Sequence, residues 1–179
     1  MKKIICLNGP PSSGKDTIAN ILTYRYGAIN LKLAQPLRDV VSAVFNIADH
    51  HIDKVKNNPI NIKQSNYRIR DFMIDVSELI IKPKLDENWF SNTLCNRIKS
   101  KYINEEIIAI SDIGFYKELD VIYNTFKDSH DIELWKIYRT GKDFSTDSRT
   151  YLEYPIKTVL INNFYTLDVL ANEVLKNIN

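Results

Sequence analysis

The feature that most constrains this chain is the segment Gly9-Pro10-Pro11-Ser12-Ser13-Gly14-Lys15-Asp16-Thr17, set between a short apolar run and a helical pattern. The run from Lys3 to Leu7 stops at the Gly/Pro/Ser cluster, and Ile18, Ile21, Leu22 and Arg25 then recur at helical spacing between Asp16 and Tyr26. The local order is therefore strand, loop, helix. The segment fits Gly-x-x-x-x-Gly-Lys in the context that pattern requires. Successive backbone N–H groups and a helix N-terminus can hold a polyanion there, glycines let the backbone come close, and the lysine adds a mobile charge for β- and γ-phosphates. Gly9, Pro11, Ser12, Ser13, Gly14, Lys15, Asp16 and Thr17 are thus the candidate contacts to a nucleoside triphosphate.

The hydroxyl that usually follows the lysine is replaced by Asp16, with Thr17 next. Asp16 offers oxygen to a hard cation such as Mg²⁺, directly or through water. The plainer alternative is a glycine-rich turn that starts a helix, with Asp16 favoured by the helix dipole.

The rest of the chain alternates strands with helices. Ala28 to Leu33 is a second strand, and Pro36 opens a helix through Leu37, Val40, Val41, Val44 and Phe45. Asn46 to Asn66 is polar and reads as a loop with one helical turn. Arg68 to Ile81 carries an apolar stripe at Ile69, Phe72, Met73, Val76, Leu79 and Ile80 and ends or breaks at Pro83. Trp89 to Tyr102 repeats the helical pattern, and Ile107 to Ile110 is a strand buried on both faces. Glu118 to Phe126 reads as a helix, Ile132 to Tyr138 and Thr158 to Ile161 as strands, and Thr166 to Ile178 as a last helix. Such alternation predicts a mostly parallel sheet with right-handed crossovers. With 179 residues, 44% of them hydrophobic, one core and a single domain are expected.

Asp112 falls at the C-terminal end of a buried strand, where open α/β sheets bind ligands, and is the second candidate for Mg²⁺. Its alternative is a helix cap. Arg70, Lys82, Arg139 and Arg149 are the remaining candidates for phosphate contact, since transfer between anions needs positive charge.

Composition limits the partners. Lys and Arg number 24 against 22 Asp and Glu, a formal charge of +2, which excludes a protein that coats nucleic acid and makes phosphate recognition local. Cys6 and Cys95 lack zinc or disulfide spacing and read as reduced thiols, while His50, His51 and His130 form no metal-ligand pattern. The apolar run at the N-terminus is too short for a signal segment, and no run reaches membrane-spanning length. A cytoplasmic protein with small-molecule nucleotide partners, no nucleic-acid polymer and no membrane is expected, with a homodimer as its assembly.

These residues resemble a known family, the bacteriophage deoxynucleoside monophosphate kinases of the nucleoside-monophosphate-kinase-like P-loop branch. Ser13-Gly14-Lys15-Asp16-Thr17 looks like its loop, in which Asp-Thr follows the lysine. Leu33-Ala34-Gln35-Pro36-Leu37-Arg38 resembles its Ala-Asp-Pro-Leu-Lys segment, with Gln35 in place of the acid. Ser111-Asp112-Ile113-Gly114-Phe115 with Glu118 is similar to its Ser-Asp-x-Arg-Phe segment, with Gly114 in place of the arginine. Asn162-Asn163 before Leu167 is similar to its Asn-Asp turn. The resemblance implies a three-layer α/β/α sandwich, ATP and Mg²⁺, and the reaction ATP + dNMP to ADP + dNDP. It implies acceptor-binding helices over about 38–103 with Gln35, Arg38, Arg70 and Lys82 on the substrate side, and a lid over ATP at about 139–153. Lys15, Asp112 and Arg139 would serve catalysis, Arg139 also contacting ATP. Arg38, Arg97 and Arg149 are the arginines able to stand in for the one absent at 114.

Two other readings remain open. One is a P-loop kinase of a nucleoside or other small metabolite, in which an acid such as Asp39, Asp71 or Glu78 serves as base toward a hydroxyl. The other is a nucleotide-binding regulator that has lost transfer, a reading favoured by Gly114 and Gln35.

Overall fold

Four consecutive apolar residues, Ile4 to Leu7, are fully buried within the first strand, β1 (Lys3–Asn8), and no polar face is left for water. Such a strand needs neighbours on both edges and cover on both faces. In the computed structural model, which describes residues 2–60, 66–145, 147–164 and 166–178, it has both. Residues 61–65 of the expected 46–66 loop and Thr146 of the expected lid lie outside the described residues.

β1 pairs in parallel with β3 (Ile107–Ile110) on one side and β4 (Asp131–Tyr138) on the other, and β2 (Ile29–Leu31) and β5 (Lys157–Asn162) complete the order β2-β3-β1-β4-β5. Every pairing is parallel, so each connection crosses a face of the sheet. On one face Ile5 and Leu7 meet Ile18 and Leu22 of α1 (Lys15–Tyr26) and Leu170 and Val174 of α8 (Leu167–Ile178). The pleat sends Ile4 and Cys6 the other way. There Cys95 of α6 (Trp89–Arg97) lies within electrostatic reach of Cys6 and bonds to Thr125 of α7 (Tyr116–Phe126). The result is the expected three-layer α/β/α arrangement. Both thiols are free, and burial pushes both up from the ordinary thiol range.

The chain divides into two compact units, Met1–Leu33 with Ser91–Asn179, and Ala34–Phe90. The first holds the sheet. The second is helical: α2 (Gln35–Phe45), α3 (Asp49–Val55), α4 (Ile69–Asp75), a π-helical turn at Val76–Ile81 and α5 (Lys82–Lys84). Its core is Val41, Ile52 and Ile69, with Phe45 and Phe72 edge to face at 5.1 Å.

Three local expectations shift. The segment after α2 forms the two-turn α3 because Ile52 is fully buried and anchors it. Pro83 does not end the preceding helix. The wide turn before it moves Lys82 N–H onto Ser77 O, so the carbonyls crowded by the proline ring are already out of α-helical register. The same wide turn rotates Leu79 and Ile80 off the apolar stripe, and both are exposed. No helix among the described residues is long and apolar enough to cross a membrane.

Candidate functional site

The loop expected to cradle phosphate links the C-terminal end of β1 to α1, and its backbone is held open from three sides. Gly14 precedes the helix at φ 105, a conformation that glycine adopts freely. A Cβ there would also lie 2.3 Å from Asn163 Nδ2. That amide donates to Ser13 O at 2.8 Å, while Asn163 N–H is bound to Tyr138 O at 2.8 Å. Asn163, just past β5, therefore straps the loop to the sheet. Arg139, at the end of β4, donates through Nη1 to Ser12 O at 3.1 Å, and Ser12 itself sits at φ 61.

Lys15 Nζ folds back to donate to Gly9 O at 2.6 Å and Pro10 O at 2.7 Å. Burial and then the nearby Arg149 charge lower its pKa to about 8, opposed by Asp16, Asp147 and Asp112. An ammonium whose partners among the described residues are two neutral carbonyls gains from an anion delivered to the loop. Asp16 is largely exposed and pairs with Lys32 Nζ at 2.8 Å, and Thr17 beside it is exposed. Asp112 follows β3 and accepts Leu33 N–H on Oδ1 at 2.8 Å. Glu118, in the first turn of α7, accepts Gly114 N–H at 2.9 Å and Phe115 N–H at 3.0 Å. Burial foremost, with Asp112 adding to it, raises its pKa to about 7.

Gly114 is where the side chain of Arg149 passes. A Cβ on Gly114 would lie 2.1 Å from Arg149 Cδ, so any residue but glycine collides with the arginine stem. Arg149 is gripped by Asp147, from Nε at 2.7 Å and Nη2 at 2.5 Å, and its charge is felt by Asp112, Glu118 and Lys15. Two cavities open on this region. One of about 220 Å³ is lined by Ser12, Gly14, Lys15, Asp16, Thr17 and Arg139. A second of about 480 Å³ shares Arg139 and is lined by Tyr138, Thr140, Lys142, Asp143, Phe144, Tyr151 and Phe164. Tyr151 stacks on Tyr138 at 4.3 Å and meets Phe144 edge-on at 5.1 Å.

The structure thus brings together Gly9 to Thr17, Asp112 and Arg139 of the expected site. Pro11, on the loop, is part-buried. The expected acceptor residues lie in the helical unit. Gln35 Nε2 donates to Asp39 at 2.9 Å and Asp49 at 3.1 Å. Arg38 is buried and bound to Asp49 Oδ1 at 2.7 Å, Asp49 O at 2.8 Å and Asp53 at 3.1 Å. Arg70 N–H bonds Lys56 O at 2.9 Å, and Lys82 pairs with Glu78 at 2.6 Å. Sequence reasoning did not mark Asn8 or Lys32 as parts of the site, and it placed Asn163 only in a turn and Asp147 only in the lid segment. Asn8, Asn163 and Lys32 act through partners distant in the chain, which leave no motif, while Asp147 acts through the Arg149 side chain two residues on.

No protein-family model and no curated protein sequence matches the chain. Among solved structures it is similar to a sugar kinase from Janibacter sp. HTCC2649, with 11% identity, TM-score 0.50, and coverage of 99% of this chain and 94% of that one. It is similar to a gluconokinase from Sinorhizobium meliloti 1021, with 13% identity, TM-score 0.50, and coverage of 98% and 90%. The APS kinase of Mycobacterium tuberculosis in complex with AMPPNP and APS matches at 10% identity, TM-score 0.50, and coverage of 98% and 96%. At such identities the likeness is one of fold, and that fold is the α/β fold of P-loop kinases.

Proposed function

We propose that the protein is an ATP-dependent phosphotransferase whose acceptor is a deoxynucleoside or nucleoside monophosphate. The observation that carries the reading is Lys15, bound among the described residues by loop carbonyls alone at the edge of the 220 Å³ cavity and therefore ready to take phosphate. The triphosphate fits that cavity, and the base fits the aromatic cavity that shares Arg139 with it. The phosphates of ATP and its own waters supply most of the ligands of a bound Mg²⁺, so one or two carboxylates suffice. Asp16 and Asp112, both felt by the Lys15 ammonium, meet that need, and no group of three or more His, Cys, Asp or Glu forms a closed metal cage among the described residues. The cation supplies neutralisation of phosphate charge.

An oxygen of the acceptor's phosphate attacks the γ-phosphorus, the bond to the β-phosphate oxygen breaks, and ADP leaves. That nucleophile is already anionic, so positioning and charge neutralisation carry the catalysis and no strong base is required. Arg139 and Lys15 hold the donor. Arg70 and Lys82, with Gln35 oriented through the Arg38–Asp49 pair, serve the acceptor.

A second reading has a specific support: the similar folds include sugar, gluconate and APS kinases. A hydroxyl acceptor needs a base, and Glu118, raised to about 7, is suited to it. The case for a silent regulator weakens, because the space at Gly114 is filled by an arginine supplied from position 149. A coupled ADP-release assay with ATP and Mg²⁺ against dNMPs, NMPs, sugars and gluconate, with Lys15→Ala as control, separates these readings. Turnover on a monophosphate that disappears in the variant is the expected result. Turnover confined to hydroxyl acceptors moves the assignment to the second reading, and ATP binding without any turnover moves it to a regulator.

A further inference from the structure

Asn8, the last residue of β1, carries a polar side chain into the fully buried interior immediately before the phosphate loop. Buried amides persist when their hydrogen-bonding capacity is met, and what meets it shows what they hold. Asn8 Nδ2 donates to Ile113 O and to Thr150 O, both at 3.2 Å, and Oδ1 accepts Leu152 N–H at 3.0 Å. Ile113 adjoins Gly114, and Thr150 adjoins Arg149. One carboxamide therefore ties together the two segments whose meeting is the Gly114–Arg149 contact, where the arginine Cδ occupies a position 2.1 Å from a glycine Cβ that does not exist. Asp147, whose side chain is only 3% exposed, grips the guanidinium from the other end.

We propose that Asn8 is a positioning residue that sets the Gly114–Arg149 contact and so holds the Arg149 guanidinium where it meets the γ-phosphate beside Lys15. The inference rests on the donor-site reading above and adds a residue through which that site is aligned. The electrostatics agree, since after burial the Arg149 charge is the largest influence on Lys15. Two cations that feel one another's charge gain from a polyanion lying between them. Replacing Asn8 with an apolar residue strands two carbonyls and one N–H and frees the 149–152 segment from the 113–114 turn.

The test needs no acceptor. ATP and ADP affinities are measured by calorimetry with Mg²⁺ for the wild type, Asn8→Ala, Arg149→Ala, the double variant and Gly114→Ala. Loss of one charge-assisted contact to the γ-phosphate lowers the preference for ATP over ADP by about tenfold or more in Arg149→Ala. Asn8→Ala is expected to lose a similar factor while its ADP affinity holds, and the double variant to lose no more than either single variant. Gly114→Ala displaces the arginine stem without touching the Asn8 bonds and is expected to reproduce the loss, which decides the matter even where Asn8→Ala does not fold. Multiplicative losses in the double variant, or an unchanged preference in Asn8→Ala or Gly114→Ala, overturn the proposal. A wild type that binds ATP no better than ADP overturns it as well. A wild type that binds neither nucleotide overturns the donor-site reading itself.

Discussion

Lys15 is charged at a place where water reaches it poorly, and the described residues bind it through the carbonyls of Gly9 and Pro10 alone. Burial holds its pKa at about 8, against 10.5 for an ordinary lysine. The penalty on the folded state is full below pH 8 and is relieved as pH rises from 8 toward 10.5, because the unfolded chain keeps the proton longer. Phosphate reverses that balance by favouring the ammonium. ATP binding at pH 8.5 should therefore take up a fraction of a proton and at pH 6.5 almost none, read by calorimetry in buffers of different ionisation enthalpy. Lys15→Ala should abolish the uptake, and equal uptake in the variant would remove Lys15 from the phosphate site. The lysine was legible in the sequence because loop, glycines and helix start are contiguous. Asn163 was not legible as a strap, since its hydrogen bond reaches a backbone oxygen 150 residues away. Nor could Gly114 be understood alone, because its meaning lies in the side chain at 149.

At the scale of elements, the start of α7 sets the hydrogen bonds that close a turn against the cost of burying a charge. Glu118 accepts the N–H groups of Gly114 and Phe115 and closes the turn after β3, yet burial raises its pKa to about 7 from 4.5. A carboxyl raised in the folded state gives stability that is fully present below pH 4.5 and is lost as pH rises through 7. Glu118→Gln keeps an acceptor oxygen and removes the charge. Urea unfolding at pH 5 and pH 8 should show the wild type losing on the order of 1–3 kcal/mol more than the variant between the two. An identical pH dependence would show that Glu118 stays ionised throughout. Most elements were visible beforehand because their periodicities are simple, as in Ile107–Ile110 and Leu167–Ile178. Two of the misreadings share a cause: a 3.6-residue template has no place for a wide turn, so Pro83 looked like an end and Leu79 like core.

At the scale of the whole molecule, every residue lining the two cavities proposed for ATP belongs to the sheet-bearing unit, while Gln35, Arg38, Arg70 and Lys82, proposed for the acceptor, belong to the helical unit Ala34–Phe90. A formal charge of only +2 leaves no diffuse field to gather nucleotides, so each partner must be recognised by local groups. The helical unit also has its own reasons to keep its charges: Arg38 joins α2 to α3 through Asp49 and Asp53 whether or not an acceptor is bound. The two binding functions should therefore separate genetically. Arg70→Ala and Lys82→Ala should raise the acceptor KM roughly tenfold each, the scale of one charge-assisted contact, and leave the Kd for ATP unchanged. Tyr151→Ala, which opens the aromatic cavity, should weaken ATP by a similar factor without changing the affinity for inorganic tripolyphosphate, because the loop that grips phosphate is intact. Acceptor kinetics and ATP calorimetry on the same three variants check this division. If Arg70→Ala weakens ATP as much as it weakens the acceptor, the helical unit is part of the donor site and the assignment of the two substrates to the two units is wrong.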